Sequence, residues 1–333
     1  MPIPFFLIAL GVGTAALGAG KTIKAGIDIK DAKETNEYAQ SIVNRANDEA
    51  KFSRENCNNA IVELGRKKLW VLNNSVNSFI ATFETIHNIE LIESDGIDEL
   101  QKININERSF KELKEMGITA SSILGGVAGG AVGGALTAIG AYGAATTFGA
   151  CATTGTAIAS LSGAAATNAT LAFLGGGALS IGGLGVAGGT AVLGGLVAGP
   201  ALTIMGFIVG AKASANKDEA YSNLAKAREF EETVKTVKVL CKGIRMRANM
   251  FKRLLIKLDC IFSPLVSELN KIITVSGTNY NDYTTDEKAV VAKCLSLITA
   301  IKMVLDTPIL TEDGALTDES IEVYNCIQNK TSN

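Results

Sequence analysis

Chemistry in a folded chain needs particular side chains at particular spacings, and in these 333 residues each candidate lacks a second requirement. Residues 15–22 read AALGAGKT. A phosphate-binding loop shares the Gly-Lys-Thr ending, but it begins on Gly, follows a strand and opens an α/β unit. Here Ala15 holds the first position and no strand pattern precedes it, so the match is expected to be coincidental. A Ser/His/Asp triad would have to use His87, the single histidine. His87 lies beside an apolar helical stripe, where a structural role is expected. The six cysteines (Cys57, Cys151, Cys241, Cys260, Cys294 and Cys326) form no CxxC pair. With one histidine in the chain, no Cys/His metal cluster is expected. They read as small apolar packers in a reducing compartment. Neither catalysis, a cofactor nor a metal is expected.

The charge that does cluster is positive. Between Lys235 and Lys257 lie eight basic residues with no acid among them. Lys235, Lys238, Lys242, Arg245 and Lys252 are candidates for contact with anionic lipid, worth about 1 kcal/mol per charge near a membrane. The alternative is a solvated helix flank paired with acids of an earlier helix, such as Glu49, Glu55 and Glu63. A net charge of −2 argues against a nucleic-acid binder.

These residues need long helices to hold them. Residues 21–88 contain no proline and two glycines, Gly26 and Gly65. Val62, Leu69, Val76 and Phe83 repeat by sevens, with Leu72, Phe79 and Ile86 in the second seam position. That is a coiled-coil stripe. Earlier, the stripe continues on smaller residues such as Ala39, Ala46, Val43 and Ala50, so this half is expected to be held more weakly. The second arm carries a longer stripe. One seam reads Ala227, Val234, Cys241, Ala248, Leu255, Phe262 and Leu269; the other reads Phe230, Val237, Ile244, Phe251, Leu258, Leu265 and Ile272. Fourteen positions without a polar exception exceed the three or four heptads that justify a coiled coil. Pro264 is expected to kink that helix. Glu93 to Gly96 reads as a loop, followed by a short amphipathic helix from about Glu107 to Met116. Thr284 with Glu287 forms a capping box for a helix reaching about Leu305. A last helix is expected over Glu319 to Gln328. No stretch alternates with the period of a strand.

Between the arms, Met116 to Ala211 contains no charge in 96 residues and holds 25 of the 35 glycines. A helix facing water collects charge on its outer face every turn, and this block has none. Interior Gly weakens a helix in water by about 1 kcal/mol relative to Ala. In lipid an unpaired backbone is costlier still, so the helix is kept and Gly lets neighbours approach. Gly125, Gly129 and Gly133 form one ladder; Gly126, Gly130 and Gly134 form a second; Gly185 and Gly189 repeat the spacing. A span takes about 20 residues. Two hairpins are expected, near 116–160 and 164–211. An elastin-like coil is the alternative, but such chains are proline-rich and the block has one proline, Pro200. Ile3 to Gly20 is also uncharged. It fits a membrane anchor, a buried helix or a signal segment. Lys21, Lys24, Lys212 and Lys217 place the arms on the cytoplasmic side.

The expected fold is therefore all-α: an apolar segment (1–20), a helical arm and connector (21–115), a glycine-rich transmembrane hairpin region (116–211), a second arm (212–275) and a helical C-terminal region (276–333). This organisation resembles the α-helical pore-forming toxins and the apolipoprotein-L-like proteins. The resemblance rests on the arms within 21–275 and the ladders at Gly125 to Gly134. It implies a bundle that stays outside a membrane while the apolar region enters it. The implied function is permeabilising or remodelling a membrane, with lipid and further copies of the chain as partners. The alternative is a membrane scaffold whose coiled coil, through Leu255 and Phe262, recruits a protein partner. One geometric problem stands. A first arm of helix extends about 100 Å from Lys21, and residues 89–115 bring the chain back only about 40 Å. The arm is therefore expected to fold back, or residues 3–20 to anchor at another surface.

Overall fold

A computed structural model describes residues 25–89, 107–125, 136, 139–141, 217–311 and 314–331. Among them every extended element is helical. The first arm is α1 (Ala25–Val71), which passes through a single π-helical turn (Leu72–Val76) into α2 (Asn77–Phe83). The absence of proline and the heptad stripe let it run without folding back. After residues 90–106 comes α3 (Glu107–Gly125), nine residues longer than its amphipathic start implies and continuing into the glycine-rich block. The second arm is α4 (Lys217–Ser276). Pro264 is inside it and does not end it. Next are α5 (Thr285–Asp306), opened by the Thr284/Glu287 capping box, and α6 (Asp318–Lys330). The glycine pairs expected at 126–134 and 185–189, and most of both hairpins, lie outside the described residues.

The two arms lie side by side and point the same way. Asn223 donates to Asn36 at 3.0 Å, Arg45 meets Glu231 at 2.7 Å, Lys238 meets Glu49 at 2.6 Å and Thr82 donates to Asn270 at 2.9 Å. The His87 backbone N–H reaches the Thr278 carbonyl at 2.7 Å. Each step up α1 is matched by a step up α4, so the pair is parallel. Twelve of the fourteen α4 stripe positions are buried, with Val237 and Leu265 half-buried.

Parallel neighbours require a return path, and α3 with Leu136 and residues 139–141 supplies part of it. Lys114 meets Glu84 at 2.6 Å, Asn77 donates to the Gly117 carbonyl at 3.1 Å, and Ser121 donates to Asn73 at 2.7 Å. Thus α3 descends along the upper part of the first arm. Leu136 and residues 139–141 are helical and continue downward against Ile61 and Gly65. The descent meets the geometric problem posed by the sequence without any folding back of the first arm. α5 also descends, from Glu287 beside Ser276 to Leu305 beside Lys68. α6 ascends beside α4, with Arg247 donating to the Thr317 carbonyl at 3.2 Å and the Phe251 and Tyr324 rings tilted against each other at 6.5 Å.

The result is a head and a stalk. The head core gathers α1 from Cys57 upward, α3, Leu136, Ile139, Ala141, α4 from Cys241 upward, α5 and α6. At its top Phe79, Phe83, Phe110 and Phe262 meet with centroids 5.2 to 6.5 Å apart. Below, the stalk has its own small core: Ala39, Ile42, Val43, Ala46 and Ala50 against Ala227, Phe230 and Val234. Small side chains bury little area, so the stalk is the weaker part.

Two contacts set the register of the head. Asp259 of α4 is buried and accepts from Lys67 at 2.8 Å and from Ser75, within the π turn, at 2.5 Å. Gly65 and Gly140 permit a backbone crossing. A Cβ on Gly65 would sit 1.9 Å from the Leu136 carbonyl oxygen, and one on Gly140 would sit 2.2 Å from that of Ile61. Removing one partner of a buried charge pair leaves the other desolvated, so Asp259→Ala is expected to lower unfolding free energy by about 3 kcal/mol in urea titrations. Gly65→Ala should destabilise by about 1–3 kcal/mol, against its better helix propensity, because backbone cannot move aside as a side chain can. In the same assay Gly243→Ala, which meets only the Leu316 side chain at 3.3 Å, should be neutral or stabilising.

Candidate functional site

The His87 side chain is exposed, and its backbone rather than its ring makes the contact with Thr278. No group of three His, Cys, Asp or Glu side chains among the described residues is placed to hold a metal ion. Cys57, Cys241, Cys260, Cys294 and Cys326 are free thiols. Cys57 and Cys241 come together from opposite helices, both buried, where stalk meets head. The hydrogen bond from Cys57, aided by the nearby Arg54 guanidinium, lowers the Cys241 thiol, while the same pairing and burial push Cys57 up.

The coiled-coil seam candidates Phe230, Ile244, Phe251, Leu255, Leu258 and Phe262 are all buried inside the chain. Their neighbours are α1, α3, α5 and α6, so this seam is occupied without a second molecule. The outward face of α4 is different. Lys235, Lys238, Lys242 and Arg245 line an open groove of about 560 Å³ with Glu49, Phe52, Ser53 and Asn56 of α1. Val239 and Cys241 complete it. Lys252, two turns on, is half-buried and does not line the groove. The acids expected to neutralise this run do so only in part. Glu49 pairs with Lys238, and that bond holds the Glu49 carboxyl below its ordinary range. Glu63 pairs instead with Arg66 on its own helix. Lys235 is held by Glu232, whose carboxylate raises it. Arg247 turns inward to Ser320.

A second arrangement concerns where the chain enters and leaves the stalk. Asn36 and Asn223 are paired, eleven residues after Ala25 and six after Lys217. Both helices therefore begin at the same end, offset by about 8 Å at 1.5 Å per residue. The uncharged segments 1–20 and 142–211 precede these two starts. No helix among the described residues is long and apolar enough to cross a membrane.

Sequence reasoning missed one row of residues. Arg54, Ile61, Lys68, Ser75 and Thr82, spaced by sevens, are all buried. They lie beside the apolar stripe: Ser75 and Thr82 donate to Asp259 and Asn270 of α4, and Lys68 reaches the end of α5. Lys68 is fully buried, and its Nζ donates to the Leu305 carbonyl at 3.1 Å, in the last turn of α5. A cation there meets the unpaired carbonyls and negative end of the helix. Its heptad spacing was the available signal, but a lysine at that spacing normally marks a wet flank.

No known protein family, curated protein or solved structure matches the chain.

Burial lowers Lys68 from its ordinary 10.5 to about 7, partly offset by Asp306. Between those two pH values the unfolded chain carries a proton that the folded Lys68 releases. The unfolded state then binds more protons, so stability rises with pH across this window. Below about pH 7 both states are protonated and the destabilisation is complete. Going from pH 7 to pH 9, wild type should gain on the order of 2 kcal/mol more stability than Lys68→Met, measured by urea unfolding. Parallel pH profiles for the two proteins would contradict the burial of a charged Lys68.

Proposed function

We propose that the protein is a membrane-inserting helical effector. In this reading its head and stalk remain outside the bilayer and its uncharged segments enter, associate through glycine ladders and permeabilise it. The observation that carries the reading is the 96-residue block without charge, Met116 to Ala211. The parallel arms support it. Ala25 and Lys217 lie at one end of the stalk, so residues 3–20 and the end of the block meet the helical body at one place.

The body trims the part of the block available to lipid. Met116, Ala120, Leu136, Ile139 and Ala141 are buried in the head, and the Ala141 carbonyl accepts from the Ile309 and Leu310 N–H groups. The inserting segments of this proposal are therefore 3–20 and 142–211, which lie outside the described residues. Seventy residues suffice for two or three spans of about 20. A chain that leaves and rejoins one side favours two. The arms then act as a parallel intramolecular coiled coil that sets the block at a distance from the head. This division of labour is the one implied by the α-helical pore-forming toxins and apolipoprotein-L-like proteins. A scaffold that recruits a protein partner would have to use outward faces, because Leu255 and Phe262 are buried within the chain.

Purified protein is expected to release dye from liposomes, and to remain in the membrane pellet after carbonate extraction. Substituting Gly185 and Gly189, the ladder pair inside 142–211, with Leu should abolish release while leaving the unfolding midpoint of the helical body within a few degrees. Intact liposomes at high protein-to-lipid ratio, or recovery in the carbonate supernatant, would reject the proposal.

A further inference from the structure

We propose that the groove between α1 and α4, at Glu49 to Asn56 and Lys235 to Arg245, is a docking surface for the headgroups of an anionic phospholipid bilayer. The inference rests on the membrane reading and adds to it a lipid chemistry and the side chains that meet it.

Charge is the first argument. Four cations line the groove against a single carboxylate, Glu49. Lys235 and Lys238 are steered by Glu232 and Glu49 at 2.6 Å each, which fixes their ammonium groups on the groove wall. Neither Lys242 nor Arg245 has an acid partner among the described residues. In a chain of net charge −2, this excess is local and one-sided. It is not what an ordinary solvated flank shows, since the nearby acids are only partly spent on it. Glu63 turns to Arg66 instead.

Apolar exposure is the second argument. Phe52 and Val239 are groove residues and are 68% and 69% exposed. Met246, 55% exposed, continues the surface. Val239, Lys242, Met246 and Arg253 follow one another at intervals of three, four and seven, which places them on one face of α4. Cations interleaved with exposed apolar side chains suit the boundary between headgroups and acyl chains. A phosphate free in solution would satisfy the cations and leave Phe52, Val239 and Met246 in water. The bilayer surface satisfies both. The groove lies about 30 Å from the start of α4, so docking lays the stalk along the membrane with the uncharged segments at its leading end.

The test is flotation of the full-length protein with vesicles of phosphatidylcholine alone and of phosphatidylcholine with about 30% phosphatidylglycerol. Lys242→Glu combined with Arg245→Glu is compared with Phe52→Ser and wild type, each checked for an unchanged unfolding midpoint. Wild type should partition at least about tenfold more strongly onto the anionic vesicles, with the preference weakened by salt. The charge reversal should remove that preference, and Phe52→Ser should reduce binding to anionic vesicles several-fold. Equal binding of wild type and the charge-reversed protein to anionic vesicles would overturn the proposal. So would displacement of the bound protein by millimolar glycerol phosphate, which would mark a site for a soluble anion, or by an acidic peptide. Dye release from neutral vesicles separates the two readings. Release that persists without any charge preference sinks the groove and keeps insertion; absence of both binding and release sinks both.

Discussion

The parallel alignment of α1 and α4 is the constraint from which the other features follow. Antiparallel helices can be joined by a short turn, but parallel ones oblige the chain to travel back the length of the first before beginning the second. From Ala25 to Phe83 that length is about 90 Å. The return begins with α3, Leu136 and residues 139–141, packed beside the first arm. The head therefore gathers several helices around one core, while the stalk core is drawn from two. The same alignment brings Ala25 and Lys217 to one end. Had the arms been antiparallel, the two uncharged segments would join opposite ends of the body.

Much of the architecture was legible because it rests on periodicity. The α4 stripe is continuous from Ala227 to Ile272, and twelve of its fourteen residues are buried. The Thr284/Glu287 capping box places the start of α5 because its hydrogen bonds are local. Direction was not legible. A heptad stripe specifies that two helices meet, not which way each points. Here the direction is marked by scattered polar pairs such as Arg45 with Glu231 and Thr82 with Asn270, whose partners lie nearly 190 residues away. Without that, the return of the first arm stood as a difficulty.

The buried row Arg54, Lys68, Ser75 and Thr82 was illegible for a related reason. These are polar residues on the edge of an apolar stripe, and in a two-helix coil they would be wet. They are buried because they meet side chains on other helices, Ser75 and Thr82 at Asp259 and Asn270 of α4. Lys68 is stabilised by the end of α5, a contact that no local pattern announces. Gly65 was visible only as an irregularity, one of two glycines in a long helix. Its reason is the facing Leu136 carbonyl. The groove was half legible: the run of cations could be read, but Phe52, contributed by the other helix, could not be placed beside it.

The Gly65/Gly140 crossing bears on how the glycine-rich block should be understood. Close backbone approach through Gly is expected where lipid offers helices no hydrophobic drive to associate. Yet Gly140 belongs to the block and makes that approach to a helix of the head, with Leu136, Ile139 and Ala141 buried around it. Small residues in the block thus serve packing against protein at its beginning. The absence of charge does not by itself distinguish a helix buried in protein from one buried in lipid, since neither has a wet face. What distinguishes them is how much apolar surface the rest of the chain is able to cover. The stalk presents narrow faces, with Tyr38, Phe52, Tyr221 and Val239 exposed on them. The head covers the opening of the block, and among the described residues the two helices of the stalk offer no comparable core for the seventy residues from 142 to 211. In the membrane-inserting reading proposed above, a bilayer would supply that cover.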